Sequence, residues 1–111
     1  FNINYLCDRG IVSTLYPVFT TKEQLDDFFL LTKLNYGKEF RRYAILQKQG
    51  GSRTYMYFKK LELLQLFIPC ISEQQRIVNF LKSIDSKIEL VNTQIEKTKA
   101  FKKGLLQQMF V

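Results

Sequence analysis

Residues 47–54 run Gln47-Lys48-Gln49-Gly50-Gly51-Ser52-Arg53-Thr54, with amide, cationic and hydroxyl side chains gathered around two adjacent glycines. Paired glycines free the backbone, so this segment reads as an exposed, adaptable loop. Its chemistry is recognition by hydrogen bonding and charge. Catalysis has little to work with here: the chain contains no histidine, which removes Ser–His and Cys–His nucleophiles. Cys7 and Cys70 lie far apart with no CxxC pair, a spacing that argues against structural zinc. Gly50-Gly51 is not followed by GK[ST] and so forms no phosphate-binding P-loop. An independent enzyme is therefore the weakest reading. Two cysteines without a secretory leader fit reduced thiols in a cytoplasmic protein.

Charge indicates what such a loop would recognise. Lysine and arginine number 17 against 10 acids, a net charge of +7. Residues 1–69 carry 10 basic and 6 acidic groups, and residues 70–111 carry 7 and 4, so the positive field covers both parts. Polyanions, most simply nucleic acid, are the leading partner class, although the same balance also serves plain solubility. Apolar residues at 46% and aromatics at 14% suit a folded core. The chain opens on Phe1 rather than methionine, which suggests a fragment or processed product. Apolar clusters such as Phe28 to Leu31 are too short to span a bilayer, so a soluble protein without a membrane partner is expected.

Several elements must position the loop. Ile11, Val12, Leu15, Tyr16, Val18 and Phe19 are strand formers interrupted by Pro17, which predicts one or two strands in 10–20. Thr20 or Thr21 can cap a helix carrying Leu25, Phe28, Phe29 and Leu31 to about Asn35. Gly37 would close it in the left-handed conformation. Phe40, Tyr43, Ala44 and Gln47 form the core-facing stripe of a second helix. Beyond the loop, Tyr55 to Phe58 reads as a short strand, Lys59 to Leu64 as a helical turn, and Leu66 to Ile68 as a strand stopped by Pro69. This gives an α+β fold over residues 1–69.

Residues 70–111 read as one long helix. Ser72 and Gln75 have the spacing of a capping box, and Glu73 suits the positive end of the helix dipole. Ile77, Leu81, Ile84, Ile88, Val91 and Ile95 recur at steps of four, three, four, three and four, close to the ~3.5-residue period of a shared helical seam. The seam weakens at Thr98 and resumes with Phe101, Leu105 and Met109. Gly104 costs about 1 kcal/mol there relative to alanine. At ~1.5 Å per residue such a helix spans roughly 57 Å, more than one ~34 Å turn of DNA. The run Lys97, Lys99, Lys102 and Lys103 lacks the arginines of a DNA-reading basic region and reads as a solvated face.

The junction Ile68-Pro69-Cys70-Ile71-Ser72-Glu73-Gln74-Gln75-Arg76-Ile77 and its continuation Phe80-Leu81-Lys82-Ser83-Ile84-Asp85-Ser86-Lys87-Ile88 resemble the specificity (S) subunits of type I restriction-modification systems. The terminal stretch Phe101 to Phe110 fits the same pattern. Upstream, Gly10 to Ser13 with Tyr16, Phe40 to Tyr43, and Gly51 to Arg53 before Phe58 and Lys59 resemble the back half of a target recognition domain. Cys70 departs from the pattern, many relatives carrying a second proline or a serine. Size departs further, since family members usually hold two recognition domains and two long helices packed antiparallel.

This resemblance implies a small mixed target-recognition subdomain in 1–69 and a spacer or dimerisation helix in 70–111, the helix forming an antiparallel coiled coil. It implies a non-catalytic, DNA-reading scaffold without a cofactor of its own; S-adenosylmethionine belongs to the partner modification subunits, through which restriction subunits assemble. For base reading, Arg53 can bond bidentately to guanine, Gln49 to adenine, and Ser52 and Thr54 to base or phosphate. Lys48, Arg41 and Arg42 suit phosphates. Ile77, Leu81, Ile84, Ile88, Val91, Ile95, Phe101 and Leu105 would meet a second copy or the other half of the subunit. The alternative is a coiled-coil adaptor that reads no DNA and whose charge only aids solubility.

Overall fold

The computed structural model describes residues 1–47 and 56–110. Its regular structure is helical: α1 (Asp27–Tyr36), α2 (Lys38–Leu46), α3 (Phe58–Leu61) and the 39-residue α4 (Ile71–Met109). The chain divides into two compact units, Phe1–Gln75 and Arg76–Val111.

In the first unit α1 is apolar around most of its circumference, as expected of a helix packed on several sides. Phe29 and Leu34 are buried, and Phe28, Leu30 and Leu31 are half-buried. Its start differs from the threonine cap expected from the sequence. The cap is Asp26, whose carboxylate accepts the Phe29 N–H at 2.9 Å. Thr21 instead hydrogen-bonds the Asp27 side chain, and a turn from Lys22 to Leu25 precedes the cap. The later start brings Phe29 and Leu34 into the core while leaving Lys22 and Glu23 in water.

Gly37 ends α1 and caps α2, but its backbone is extended, with φ −70° and ψ 141°, rather than left-handed. Glycine is needed there for space. Its N–H donates to the Lys33 carbonyl at 2.8 Å, and a Cβ would overlap that same oxygen. The tight corner lets α2 fold back on α1. Phe40 from α2 meets Phe1 edge to face at 5.1 Å, and Phe1 in turn meets Phe19 at 6.5 Å. Phe19 reaches Phe58 at 6.2 Å, so a row of rings joins the N-terminal segment to α2 and α3.

No strand forms among the described residues, so the β part of the α+β expectation is not met there. Segment 10–20 is irregular, with a turn closed by the Tyr16 N–H on the Ser13 carbonyl at 3.0 Å. Ile11, Val12, Leu15, Tyr16 and Val18 are exposed. β-formers need a partner edge as well as a face to pack on; Phe19 packs on the Phe1 and Phe58 rings, but no strand pairs with this segment among the described residues. Leu66 and Ile68 do find apolar cover: they line a groove of about 460 Å³ with Leu25, Leu30, Leu34 and Leu64. That cover supplies packing without a ladder of backbone hydrogen bonds. Of the Tyr55–Phe58 strand, Tyr55 lies outside the described residues and Phe58 opens α3. The helical turn expected over Lys59 to Leu64 is present in shorter form as α3, Phe58–Leu61.

The long helix is confirmed, but its entry differs. The Glu73 and Gln74 N–H groups both donate to the Cys70 carbonyl at 3.0 Å, which places Cys70 at the cap and Ser72 inside the first turn. Ser72 Oγ meets Cys70 Sγ at 3.2 Å instead of forming a capping box with Gln75. In the second unit, Ser83, Ser86, Thr93 and Thr98 all return their hydroxyls to carbonyls of the preceding turn, so these four hydroxyls are satisfied within the helix. No helix among the described residues is long and apolar enough to cross a membrane.

Candidate nucleic-acid interface

The first cluster of candidate residues surrounds the polar loop. Lys48, Gln49, Ser52, Arg53 and Thr54 lie outside the described residues. What flanks them is defined. Tyr43 on α2 donates its hydroxyl to the Lys60 carbonyl on α3 at 2.6 Å, holding together the two helices from which residues 48–55 depart and to which they return. Tyr43 and Ala44 are half-buried, consistent with the apolar stripe expected of α2. Arg41 and Arg42 are exposed, and neither forms a salt bridge among the described residues.

Sequence reasoning assigned no binding role to Lys59 and Lys60, which α3 carries after residues 48–55. Lys59 is exposed and Lys60 half-buried. Their signal was available, two adjacent cations a few residues beyond the loop, and the Tyr43 bond ties Lys60 to α2. Lys33 and Glu39 pair at 2.8 Å at the α1–α2 corner. The Lys33 hydrogen bond, with a backbone hydrogen bond at Glu39 itself, holds the Glu39 carboxyl below its ordinary range. The Glu39 charge is thus engaged at the corner, although the charge of Arg42 also reaches it.

The second cluster lies at the root of α4 within the first unit. Gln74 is fully buried, and each polar group of its amide is used. Oε1 accepts the Asp26 N–H at 2.9 Å, while Nε2 donates to the carbonyls of Gln24 at 3.0 Å and Pro69 at 2.8 Å. Asp26 is therefore fixed twice, its N–H by Gln74 and its carboxylate by the α1 amide it caps. Gln74 stood in the junction motif without a role; its neighbour Gln75 was expected to do the structural work. Nearby, the Ser72 hydrogen bond and then the Glu73 backbone N–H hold the exposed Cys70 thiol below its ordinary range.

The third cluster is the seam of α4. Ile77, Ile84, Ile88, Val91, Ile95, Phe101 and Leu105 are between 38% and 67% exposed, and Leu81 is half-buried. These residues form an aliphatic stripe still in contact with water. Thr98 interrupts it with little polar cost, because its hydroxyl is bonded to the Gln94 carbonyl at 2.8 Å.

The arrangement can present cations and hydrogen-bonding groups to a polyanion and can offer an apolar face to another helix. Comparison with known proteins gives a consistent result. The family model for the type I restriction modification DNA specificity domain matches residues 4–100, most of the first unit and the larger part of the second. The chain is 27% identical over 107 residues to the type I restriction enzyme MjaVIII specificity subunit of Methanocaldococcus jannaschii, covering 96% of this chain and 24% of that one. It is 32% identical over 94 residues to the type I restriction enzyme HindI specificity subunit of Haemophilus influenzae, covering 82% of this chain and 20% of the relative. The chain thus spans about a fifth to a quarter of the length of these relatives. No solved structure matches it significantly. With most of its length matched by that one domain, the chain belongs to the type I restriction modification DNA specificity family.

Proposed function

We propose that this chain is part of a non-catalytic DNA-specificity subunit, its body reading one portion of a target and α4 serving as spacer and docking helix. The observation that carries the reading is the single family match running through both body and rod. Arg53, Gln49, Ser52 and Thr54 contact bases or nearby phosphates. Arg41, Arg42 and Lys48 neutralise phosphates, and Lys59 and Lys60 extend that basic surface on α3. The exposed stripe from Ile77 to Leu105 pairs as a coiled coil with a second copy or with the other helix of the subunit, antiparallel in the latter case. A rod of about 58 Å, from 39 residues at ~1.5 Å each, is long enough to hold two readers a duplex turn or more apart, so the intervening bases need no contact. Residues 1–69 then act as the recognition part and 70–111 as the spacer. Methylation and cleavage reside in partner modification and restriction subunits in the cytoplasm, and S-adenosylmethionine is bound by the modification subunit.

DNA binding by the assembled complex tests this. Affinity should fall steeply with salt as phosphate contacts release counterions. Arg53→Ala should weaken cognate DNA by about 1–3 kcal/mol and relax discrimination at one base position. A complex that binds DNA with no sequence preference would leave the adaptor reading, in which the seam alone matters. Cognate affinity unchanged by Arg53→Ala would remove that residue from the contact set.

A further inference from the structure

The amide of Gln74 is fully buried and fully used, and it stands where the longest helix leaves the body. Three backbone groups from two stretches, Gln24 and Asp26 ahead of α1 and Pro69 ahead of α4, converge on one side chain. Packing alone would not require this, because an aliphatic residue of similar volume would fill the space without selecting a geometry. An amide does select one, since it must present its oxygen to the Asp26 N–H and its nitrogen to two carbonyls at once. A rotation or slide of the first α4 turn would break at least one of these bonds and strand a buried backbone group.

We propose that Gln74 is a positioning residue for DNA reading: it locks the base of α4 to the α1 cap, so that the gap between the two parts of a split DNA target is read with a fixed length. This inference rests on the specificity-subunit reading above. Without the lock, the first turn of α4 would come free of the α1 cap, and neighbouring gap lengths would be accepted alongside the correct one. Gln74 itself touches no DNA.

The test uses the full subunit assembled with its modification subunits and duplexes in which the gap is changed one base pair at a time. Gln74→Met keeps the side-chain length and removes the hydrogen bonds. Gln74→Asn, the second variant should the first fail to fold, keeps the amide but shortens its reach, so that its bonds to Asp26, Gln24 and Pro69 cannot all form. The wild-type complex should prefer one gap sharply. Gln74→Met should flatten that preference by roughly tenfold while still binding DNA, with Gln74→Asn in between. Amide exchange at Asp26 and in the first turn of α4 should rise by about tenfold or more, with or without DNA. Unchanged exchange in the variants overturns the lock whatever the protein binds. Accelerated exchange with affinity lost equally at every gap length assigns Gln74 to stability alone and also overturns the proposal. If the wild type shows no gap preference, the split-target reading fails, and the exchange result still decides whether the lock exists.

Discussion

Replacing Ile88 by alanine probes the α4 seam most directly. Ile88 is 53% exposed, so about half of its surface remains for a partner to cover. Full burial of an isoleucine stabilises by about 1.5–3 kcal/mol, and half of that is about 1 kcal/mol. In a symmetric pair the loss occurs on both helices, giving about 2 kcal/mol and roughly a 30-fold weaker dissociation constant. The same scaling over Ile77, Ile84, Ile88, Val91 and Ile95, which are 38–53% exposed, gives about 3–7 kcal/mol per helix. Wholly wet side chains would have offered on the order of 10 kcal/mol, but neighbouring turns already cover part of each one. Sedimentation equilibrium on the isolated chain, and on its complex with the modification subunits, reads the effect. Ser86→Ala is the control, since its hydroxyl is bonded to the Lys82 carbonyl at 3.0 Å and it lies on the opposite face of the helix. Equal behaviour of the two variants, in self-association and in complex formation alike, would refute the seam as a docking surface.

The remaining predictions concern the helices themselves. Gly37→Ala should cost more than about 1 kcal/mol in denaturant unfolding, because the added Cβ meets the Lys33 carbonyl while φ is already favourable. A cost near zero would mean that the corner opens freely. Gly104→Ala should stabilise α4 by about 1 kcal/mol in thermal melts, since a Cβ there has nothing within 4 Å; if the same change weakens association, a partner backbone approaches at that point. The Glu39 carboxyl is held below its ordinary value, chiefly by the Lys33 hydrogen bond. The stability it contributes is therefore present above the unfolded carboxyl value and is lost as pH falls through the lowered folded value. Lys33→Met should flatten that acid limb in pH-dependent melts, and an unchanged limb would show that the pair contributes nothing.

Legibility in the sequence followed the range of the forces involved. The long helix was plain because its apolar period persists through many turns, so no single residue decides it. The stripe of α2 spans only nine residues and was legible because Phe40, Tyr43 and Ala44 keep helical spacing within them. Choices among adjacent candidates were not. Thr20, Thr21 and Asp26 can all cap a helix, and Asp26 does so because that start buries Phe29 and Leu34, a tertiary fact. The strand-forming residues of 10–20 carry real propensity, yet propensity cannot supply the partner edge a strand requires. Gly37 was recognised as a helix end for a conformational reason, whereas the crowded Lys33 carbonyl makes it necessary.

Gln74 and Gln75 show the same limit at the site. The pair is chemically identical in sequence, and the capping-box spacing from Ser72 favours Gln75. Once the Cys70 carbonyl takes the first helical bonds, the register turns Gln74 into the body and leaves Gln75 exposed. A shift of one residue at the helix start would exchange their roles. The hydrogen-bond geometry at Asp26, Gln24 and Pro69 therefore carries information about the joint that residue types alone do not contain. Pro69 and the Cys70 cap set where the rod begins, and the buried amide four residues after that cap fixes how the beginning is held.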